Sequence, residues 1–288
     1  MTDRPRSSQP EPLDIHQLNI RLEELSANIS SSRARFAKET VKRYTARERP
    51  NRFPEFTMAF QPIVDTESRE VFAFEALARS PNGESTASVL GRIMPRDLHM
   101  FDALCRKRAI QMAHSLSMQT RLSLNITPDA ACDLRHGIHT TIQSAREFNF
   151  SERRLILEIT EQKAIADLRA VRRSLAAVRN RGVMIALDDF GAGYNGLNTL
   201  VNLKPDLVKI DIGLIDGIDT CDARQAVVSS LSESCSRLKI LLVAEGVETH
   251  GQARMLRSLG VALMQGYLFA KPAIESLPLL SPDALLLA

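Results

Sequence analysis

The sequence has little of what builds a covalent or zinc-held scaffold. It contains no tryptophan, and its four cysteines are scattered without a C-x-x-C pair: Cys105, Cys132, Cys221 and Cys235. This spacing argues against a zinc site and against a disulfide framework. Isolated cysteines are typical of a reducing compartment, so we expect a cytoplasmic protein.

Long hydrophobic runs and a strong excess of one charge are also missing. No apolar run approaches the ~20 residues needed to cross a bilayer, and the first residues lack the apolar centre of a signal peptide. The formal net charge is +3, and much of the basic excess precedes residue 53. We therefore predict no membrane span and no DNA binding.

The first 52 residues differ from the rest and predict a polar, basic extension. Apolar residues from Ile15 to Ile29 recur at steps of three and four, which predicts a short amphipathic helix between Leu13 and Ile29. This helix could pack on its own domain, associate with a second copy, or bind a regulatory protein. Residues 33–52 carry eight Lys or Arg against two Glu, a pattern usual for a solvated helix or linker.

From residue 53 to 275, short apolar runs alternate with amphipathic stretches. The predicted strands are Thr57–Val64, Val71–Ala78, Leu122–Ile126, Leu155–Thr160, Val183–Leu187, Leu207–Ile212, Ile240–Ala244 and Ala262–Phe269. The predicted helices include Ala164–Arg181, Asp222–Leu238 and Gly251–Leu259.

Eight strands in this rhythm predict an α/β fold, a modified (β/α)8 TIM-like barrel. The short link between the first two strands predicts that the first strand is antiparallel. A doubly wound open sheet is the alternative. Residues 276–288 form an apolar tail broken by two prolines, which could cover a barrel end or dock on a partner.

One strand ends in two adjacent acids. Val183–Leu187 is apolar throughout, which predicts burial on both faces, and Asp188 and Asp189 follow at once. Burying an ionised carboxylate costs several kcal/mol, and two neighbouring carboxylates also repel each other. This stretch therefore predicts a bound cation.

Other predicted strands also finish in polar side chains. The residues concerned are Glu75, Asn125, Glu158, Asp188, Asp189, Lys209, Glu245 and Gln265. A single such residue is usually a satisfied structural group, but the C-terminal strand ends of a (β/α)8 barrel converge on one mouth. We therefore expect these side chains to meet.

The chemistry of this set indicates hard divalent cations. Carboxylate and amide oxygens without His or Cys suit Mg²⁺ or Mn²⁺. Five carboxylates favour two ions roughly 3.5–4 Å apart, an arrangement used for in-line attack on phosphorus. We expect Asp188 to bridge the ions, Lys209 to lie beside the nucleophilic water or the developing negative charge, and Arg79 to reach a phosphate oxygen.

A competing motif overlaps the paired acids. Gly191, Gly193 and Gly196 form a G-x-G-x-x-G after a strand, with Asp211 twenty residues beyond the first glycine. This pattern is typical of dinucleotide binding. Asp188 and Asp189 stand directly before it, however, and would repel a pyrophosphate, so a tight loop presenting the acids is the favoured interpretation.

The ordered motifs resemble a known family over about Phe60 to Pro272. Glu75-Ala76-Leu77 is similar to the signature of EAL-domain phosphodiesterases. Other matching motifs are Leu124-Asn125-Ile126, Leu157-Glu158-Ile159-Thr160-Glu161, Asp188-Asp189-Phe190-Gly191, Lys209-Ile210-Asp211, Glu245-Gly246-Val247-Glu248-Thr249 and Gln265-Gly266-Tyr267. The resemblance implies metal-dependent hydrolysis of cyclic di-GMP to linear pGpG by a modified barrel that is often a homodimer. The alternative is a catalytically silent cyclic di-GMP receptor or a protein-interaction module.

The resemblance also implies residue roles. The ligands of one ion are Glu75, Asn125, Glu158 and Asp188, and those of the other are Asp188, Asp189 and Glu245. The residues given catalytic roles are Glu75, Lys209 and Glu245, with Lys209 orienting the attacking water. Arg79 and Gln265 are expected to bind substrate, and Glu161 to support the loop that carries the paired aspartates.

Overall fold

The computed structural model describes residues 53–132, 137–160, 168–193 and 196–282. The predicted N-terminal extension, residues 1–52, lies outside the described residues, and so does Glu161. No helix in the part that is described is long and apolar enough to span a membrane.

Nine strands form one sheet within the described residues. They are β1 (Thr57–Asp65), β2 (Glu70–Arg79), β3 (Arg121–Ile126), β4 (Leu155–Thr160), β5 (Met184–Phe190), β6 (Leu207–Ile210), β7 (Leu241–Ala244), β8 (Leu263–Met264) and β9 (Ala273–Ile274). The strands from β2 to β8 run parallel in sequence order. Strand β1 pairs antiparallel with both β2 and β8, which closes the barrel.

The predicted modified barrel is therefore confirmed, including its antiparallel first strand, and the open doubly wound alternative is wrong. Only a four-residue turn, residues 66–69, joins β1 to β2. A parallel connection would need a crossover of a dozen or more residues. Strand β9 was not predicted, and it pairs antiparallel with β1 next to Ala59 and Phe60.

Helices follow most strands and surround the barrel. They are α1 (Thr86–Leu90), α2 (Leu98–Ser115), α3 (Pro128–Cys132), α4 (Ile138–Glu147), α5 (Leu168–Arg179), α6 (Gly196–Leu203), α7 (Ile212–Ile215), α8 (Asp222–Leu238) and α9 (His250–Ser258). Two large apolar clusters fill the space between helices and strands, and a smaller one lies within the barrel. The sheet is thus apolar on its outer face, and its inner face carries the smaller apolar cluster together with polar side chains.

Two predicted strands extend too far along the chain. The sixth ends at Ile210 rather than Ile212, because the Asp211 side chain accepts a hydrogen bond from the Gly213 amide and begins α7. The eighth covers only Leu263 and Met264, and the apolar residues after it form a turn in which the Phe269 amide donates to the Gly266 carbonyl.

The start of the C-terminal tail lies against the barrel. Leu277 and Leu280 pack on the two outer apolar clusters, whereas Leu279 is 92% exposed. The Ser281 amide also donates to the Phe269 carbonyl at 2.9 Å. Residues 276–282 therefore cover part of the barrel.

Candidate active site

Two layers of inward-facing side chains fill the barrel. The lower layer is an apolar floor formed by Ile63, Ala73, Ile156, Ala186, Leu207, Val243 and Leu263, which pack together. Two residues further towards the mouth, each strand carries a polar side chain, because side chains on one face of a strand recur every second residue. This mouth layer consists of Gln61, Glu75, Asn125, Glu158, Asp188, Lys209, Glu245 and Gln265.

Lys209 lies at the centre of the mouth layer and is almost fully buried, with a side chain 1% exposed. Its Nζ is 2.8 Å from Glu245 Oε1, 3.0 Å from Asp188 Oδ1, 3.1 Å from Glu158 Oε1 and 3.2 Å from Glu75 Oε2. One ammonium thus contacts carboxylates from four different strand ends. The structure thus brings together side chains that we predicted to meet because of their positions at the strand ends.

Amide side chains hold Glu75 from two sides. Gln265 Nε2 donates to Glu75 Oε2 at 2.7 Å, and Asn125 Nδ2 donates to Glu75 Oε1 at 3.1 Å. Gln265 Nε2 also lies 3.3 Å from Gln61 Oε1, and Gln61 Nε2 donates to the Ala270 carbonyl. Gln61 was not among the predicted site residues. Its signal was a lone glutamine within the apolar first strand, whose reversed direction places the mouth-facing residue before Ile63.

Asp188 and Asp189 both reach the mouth, although consecutive residues of a regular strand point to opposite faces. A register shift between Leu187 and Phe190 interrupts the pairing of β5 with β6. Asp189 has a φ of 55°, in the left-handed region that Asp tolerates better than most residues. Carboxylate oxygens of Asp188, Asp189 and Glu245 consequently lie within 4.8 Å of one another.

The loops that carry Glu245 and Gln265 are bonded to each other. The Val247 amide donates to the Gln265 carbonyl at 3.0 Å, and the Leu268 amide donates to the Val247 carbonyl at 3.1 Å. A Cβ atom added at Gly266 would lie 2.0 Å from the Val247 carbonyl oxygen. Only glycine allows this close approach, which fixes the spacing of the two site residues.

Burial and mutual repulsion perturb the carboxylates unequally. Burial and then Glu75 raise the pKa of Glu158 well above its usual range. Burial and then Asp188 raise the pKa of Asp189 to about 6, and burial raises the pKa of Glu245 to about 8 despite the Lys209 ammonium. The cluster therefore carries more negative charge than one lysine compensates.

Glu75 and Lys209 show the opposite balance. Burial disfavours the Glu75 carboxylate, but the Lys209 ammonium and the hydrogen bonds from Gln265 and Asn125 outweigh it, so the pKa of Glu75 lies below its ordinary value. Burial also disfavours the Lys209 ammonium, yet the surrounding carboxylates hold the pKa of Lys209 well above its ordinary value. Both groups are charged at neutral pH.

The donor set fits hard divalent cations. The oxygens come from carboxylates and an amide, the ligands that Mg²⁺ and Mn²⁺ prefer. Glu158 Oε2 is buried and accepts no hydrogen bond within the described part of the chain. A buried, unpaired carboxylate oxygen is costly unless a cation or a donor satisfies it.

Arg79 lies at the rim rather than in the carboxylate cluster. It is the last residue of β2, half-buried, and its Nη1 donates to the Ala78 carbonyl at 2.8 Å and to Thr86 Oγ1 at 2.9 Å. Burial lowers the pKa of Arg79, and the negative charge of Glu75 opposes the shift. The guanidinium is therefore held at the edge of the mouth.

Comparison with known proteins assigns the chain to a family. The profile of the family described as EAL domain matches residues 46–272. The chain belongs to the EAL-domain family. A closed barrel also excludes the doubly wound domain that the glycine motif would need for dinucleotide binding.

Curated EAL relatives are similar over three quarters of this chain. The probable cyclic di-GMP phosphodiesterase PdeN of Escherichia coli K12 is 33% identical over 230 residues, covering 76% of this chain and 43% of PdeN. The blue light- and temperature-regulated antirepressor BluF of the same organism is 29% identical over 221 residues, covering 76% of this chain and 55% of BluF. The chain spans about half the length of the curated relatives it matches.

Solved EAL structures share the fold. A standalone versatile EAL protein from Vibrio cholerae O395, in a c-di-GMP-bound form, is 40% identical with a TM-score of 0.76, covering 81% of this chain and 98% of that one. BlrP1 of Klebsiella pneumoniae, in a complex with manganese and cyclic di-GMP at pH 9.0, is 33% identical with a TM-score of 0.73, covering 76% of this chain and 56% of that one.

Proposed function

We propose that this EAL domain hydrolyses cyclic di-GMP to linear pGpG by opening one phosphodiester of the ring, with divalent cations as cofactors. The observation that carries the proposal is the mouth layer, in which four carboxylates, three amides and one ammonium lie above an apolar floor, with Asp189 as a fifth carboxylate beside them. The nucleotide and the metal in the Vibrio and Klebsiella relatives support the same substrate and cofactor class.

Six side chains would hold two Mg²⁺ or Mn²⁺ ions, with Asp188 shared. The two sets are Glu75, Asn125, Glu158 and Asp188 for one ion, and Asp188, Asp189 and Glu245 for the other. Such ions, when bound, lower the pKa of a water nucleophile and neutralise charge on the phosphate. Among the catalytic residues, Glu75 and Glu245 would act by holding the positive charge of the ions at the reacting phosphodiester.

Lys209 would act as a cationic donor and not as a base. Its ammonium is buried among four carboxylates, and its raised pKa keeps it protonated at neutral pH. A protonated lysine can orient the attacking water or stabilise negative charge that develops on phosphorus, but it cannot remove a proton.

Three further residues would bind substrate or support the site. Arg79 would contact a phosphate oxygen from the rim, where its guanidinium keeps donors that its two described bonds do not use. Gln265 would present its amide, already bonded to Glu75, to the water and the substrate. Glu161, outside the described residues, would support the loop of Asp188 and Asp189.

The test is hydrolysis of cyclic di-GMP with Mn²⁺ or Mg²⁺, followed by chromatography of pGpG. We expect turnover with either ion and none after chelation, and restoration on adding the metal back. A matched control is the exposed carboxylate variant Glu233→Ala, which should cleave at the wild-type rate. Binding of cyclic di-GMP without formation of pGpG would favour the silent receptor. No carboxylate is missing from the mouth layer, so the sequence gives that alternative no support.

We further propose that the protein is a homodimer located in the cytoplasm. A regulatory protein would bind it through the predicted N-terminal helix at Leu13–Ile29. Light scattering of the full chain and of residues 51–288 would test the homodimer and show which part of the chain forms it. A monomeric full-length protein would count against the homodimer, and a dimer that persists without the first 50 residues would assign self-association to the barrel.

A further inference from the structure

Ser123 is the one polar side chain at floor level among the described strands. It lies on β3 two residues before Asn125, and the strand register pairs it with Glu75 on β2 and with Ile156 on β4. The remaining floor residues are apolar and pack together. A fully buried hydroxyl in such a layer is costly unless it is hydrogen-bonded.

The partner of this hydroxyl is a residue of the mouth layer. Ser123 Oγ donates to Glu158 Oε1 at 2.6 Å, and both side chains are 0% exposed. The length is at the short end of the range for an O–H···O hydrogen bond. Lys209 Nζ lies 3.1 Å from the same oxygen, whereas Glu158 Oε2 accepts no hydrogen bond within the described residues.

These contacts give the two oxygens of the Glu158 carboxylate different roles. Ser123 from below and Lys209 from the side hold Oε1, so rotation about the terminal bond of Glu158 would break both contacts. Oε2 has no hydrogen-bond donor among the described residues and can serve as a ligand. Groups that orient a metal ligand in this way commonly change metal affinity 10- to 100-fold when they are removed.

We propose that Ser123 is a positioning residue for the metal centre, which fixes the Glu158 carboxylate so that one oxygen is available to a divalent cation. The inference rests on the proposed metal site. A merely structural serine would satisfy a buried carboxylate and influence folding stability only. The two roles differ in whether cation affinity depends on the hydroxyl.

The test is calorimetric titration of the full chain with Mn²⁺ and no nucleotide. We expect Ser123→Ala to weaken Mn²⁺ binding about 10- to 100-fold while far-ultraviolet circular dichroism stays unchanged, and Ser123→Thr to retain most of the affinity. The matched control is Ser144→Ala in α4, a buried serine whose hydroxyl donates to the Thr140 carbonyl. It should bind Mn²⁺ as the wild type does. Wild-type affinity in Ser123→Ala would overturn the proposal.

A double-mutant cycle shows whether Ser123 acts through Glu158. In a Glu158→Gln background, Ser123→Ala should cause no further loss of Mn²⁺ affinity, since the carboxylate it positions is already gone. Full additivity would overturn the proposal. Because these titrations contain no nucleotide, a failure of cyclic di-GMP hydrolysis would refute the proposed activity and leave this result standing, and the reverse also holds.

Discussion

Lys209 shows why single residues of this site cannot be judged alone. A buried ammonium is unfavourable by itself, and so is each carboxylate around it, yet together they offset much of each other's desolvation. Removing one partner of such a set costs more than the set contributes, because it leaves uncompensated buried charge.

Lys209→Met is therefore expected to destabilise the metal-free protein by about 3–5 kcal/mol in urea unfolding with a chelator present. Added Mn²⁺ should recover much of this loss, since cations replace the missing positive charge. Lys107→Met is the control, because it breaks an ion pair with the exposed Glu147 and should cost at most about 1 kcal/mol. Equal losses in the two variants would contradict the central position of Lys209.

Glu75→Gln should lower both stability and turnover. It keeps the volume but removes the charge that Lys209 and the amides of Gln265 and Asn125 stabilise, so we expect a lower melting temperature. Turnover of cyclic di-GMP should fall by at least ~10²-fold, because a ligand and a fixed charge at the reaction centre are lost. Chromatography of pGpG and thermal melts measure both effects, with Glu233→Gln as the exposed control. A normal rate would remove Glu75 from the metal site.

The charged residues of the site could be predicted from the sequence better than the uncharged polar residues that support them. Asp188 and Asp189 could be found because charge directly after a buried strand is costly and rare. Gln61 and Ser123 could not, because an uncharged polar residue within a strand is commonplace. Their importance follows only from their neighbours, Gln265 and Glu158, which lie 204 and 35 residues away along the chain.

At the scale of elements, apolar pattern located the strands but not all of their ends. Strand β8 ends after Met264 although apolar residues continue to Phe269, because Gly266 approaches the Val247 backbone too closely for a pleated strand to continue. The irregular end of β5 could not be predicted from the sequence either. A left-handed Asp189 and a register shift depend on pairing with β6, which no local pattern reports.

Gly266→Ala should disturb the site without touching a polar group. Its Cβ would meet the Val247 carbonyl oxygen at 2.0 Å, so the loops carrying Glu245 and Gln265 must separate. We expect a loss of about 1–3 kcal/mol in stability together with weaker Mn²⁺ binding in calorimetry. Gly91→Ala is the control, because Gly91 has a helical φ of −60° and its added Cβ would lie 3.3 Å from its nearest neighbour. If Gly266→Ala bound Mn²⁺ normally, the loop contact would not set the site's spacing.

At the scale of the molecule, closure of the barrel assembles the site. Glu75 and Gln265 are 190 residues apart in sequence yet hydrogen-bonded, because β1 joins the first and last parallel strands. The β-then-α rhythm and the short first link were enough to predict this closure. The same closure gives the mouth its electrostatic character, since each strand from β1 to β8 contributes at least one polar side chain, within the strand or directly after it, to a space with an apolar floor.

The close approach of several carboxylates in the mouth makes cation binding by the whole protein depend on pH. Without a cation, Glu245 and Asp189 release their protons with pKa values of about 8 and about 6, whereas a cation requires both carboxylates ionised. Raised pKa values mean that protons compete with the metal at low pH, so Mn²⁺ affinity should rise as pH increases from about 6 to 8 and level off above. Each displaced proton contributes up to about tenfold per pH unit. Calorimetry in two buffers of different ionisation enthalpy would count the protons released, and a pH-independent affinity with no proton release would show that these carboxylates are not ligands.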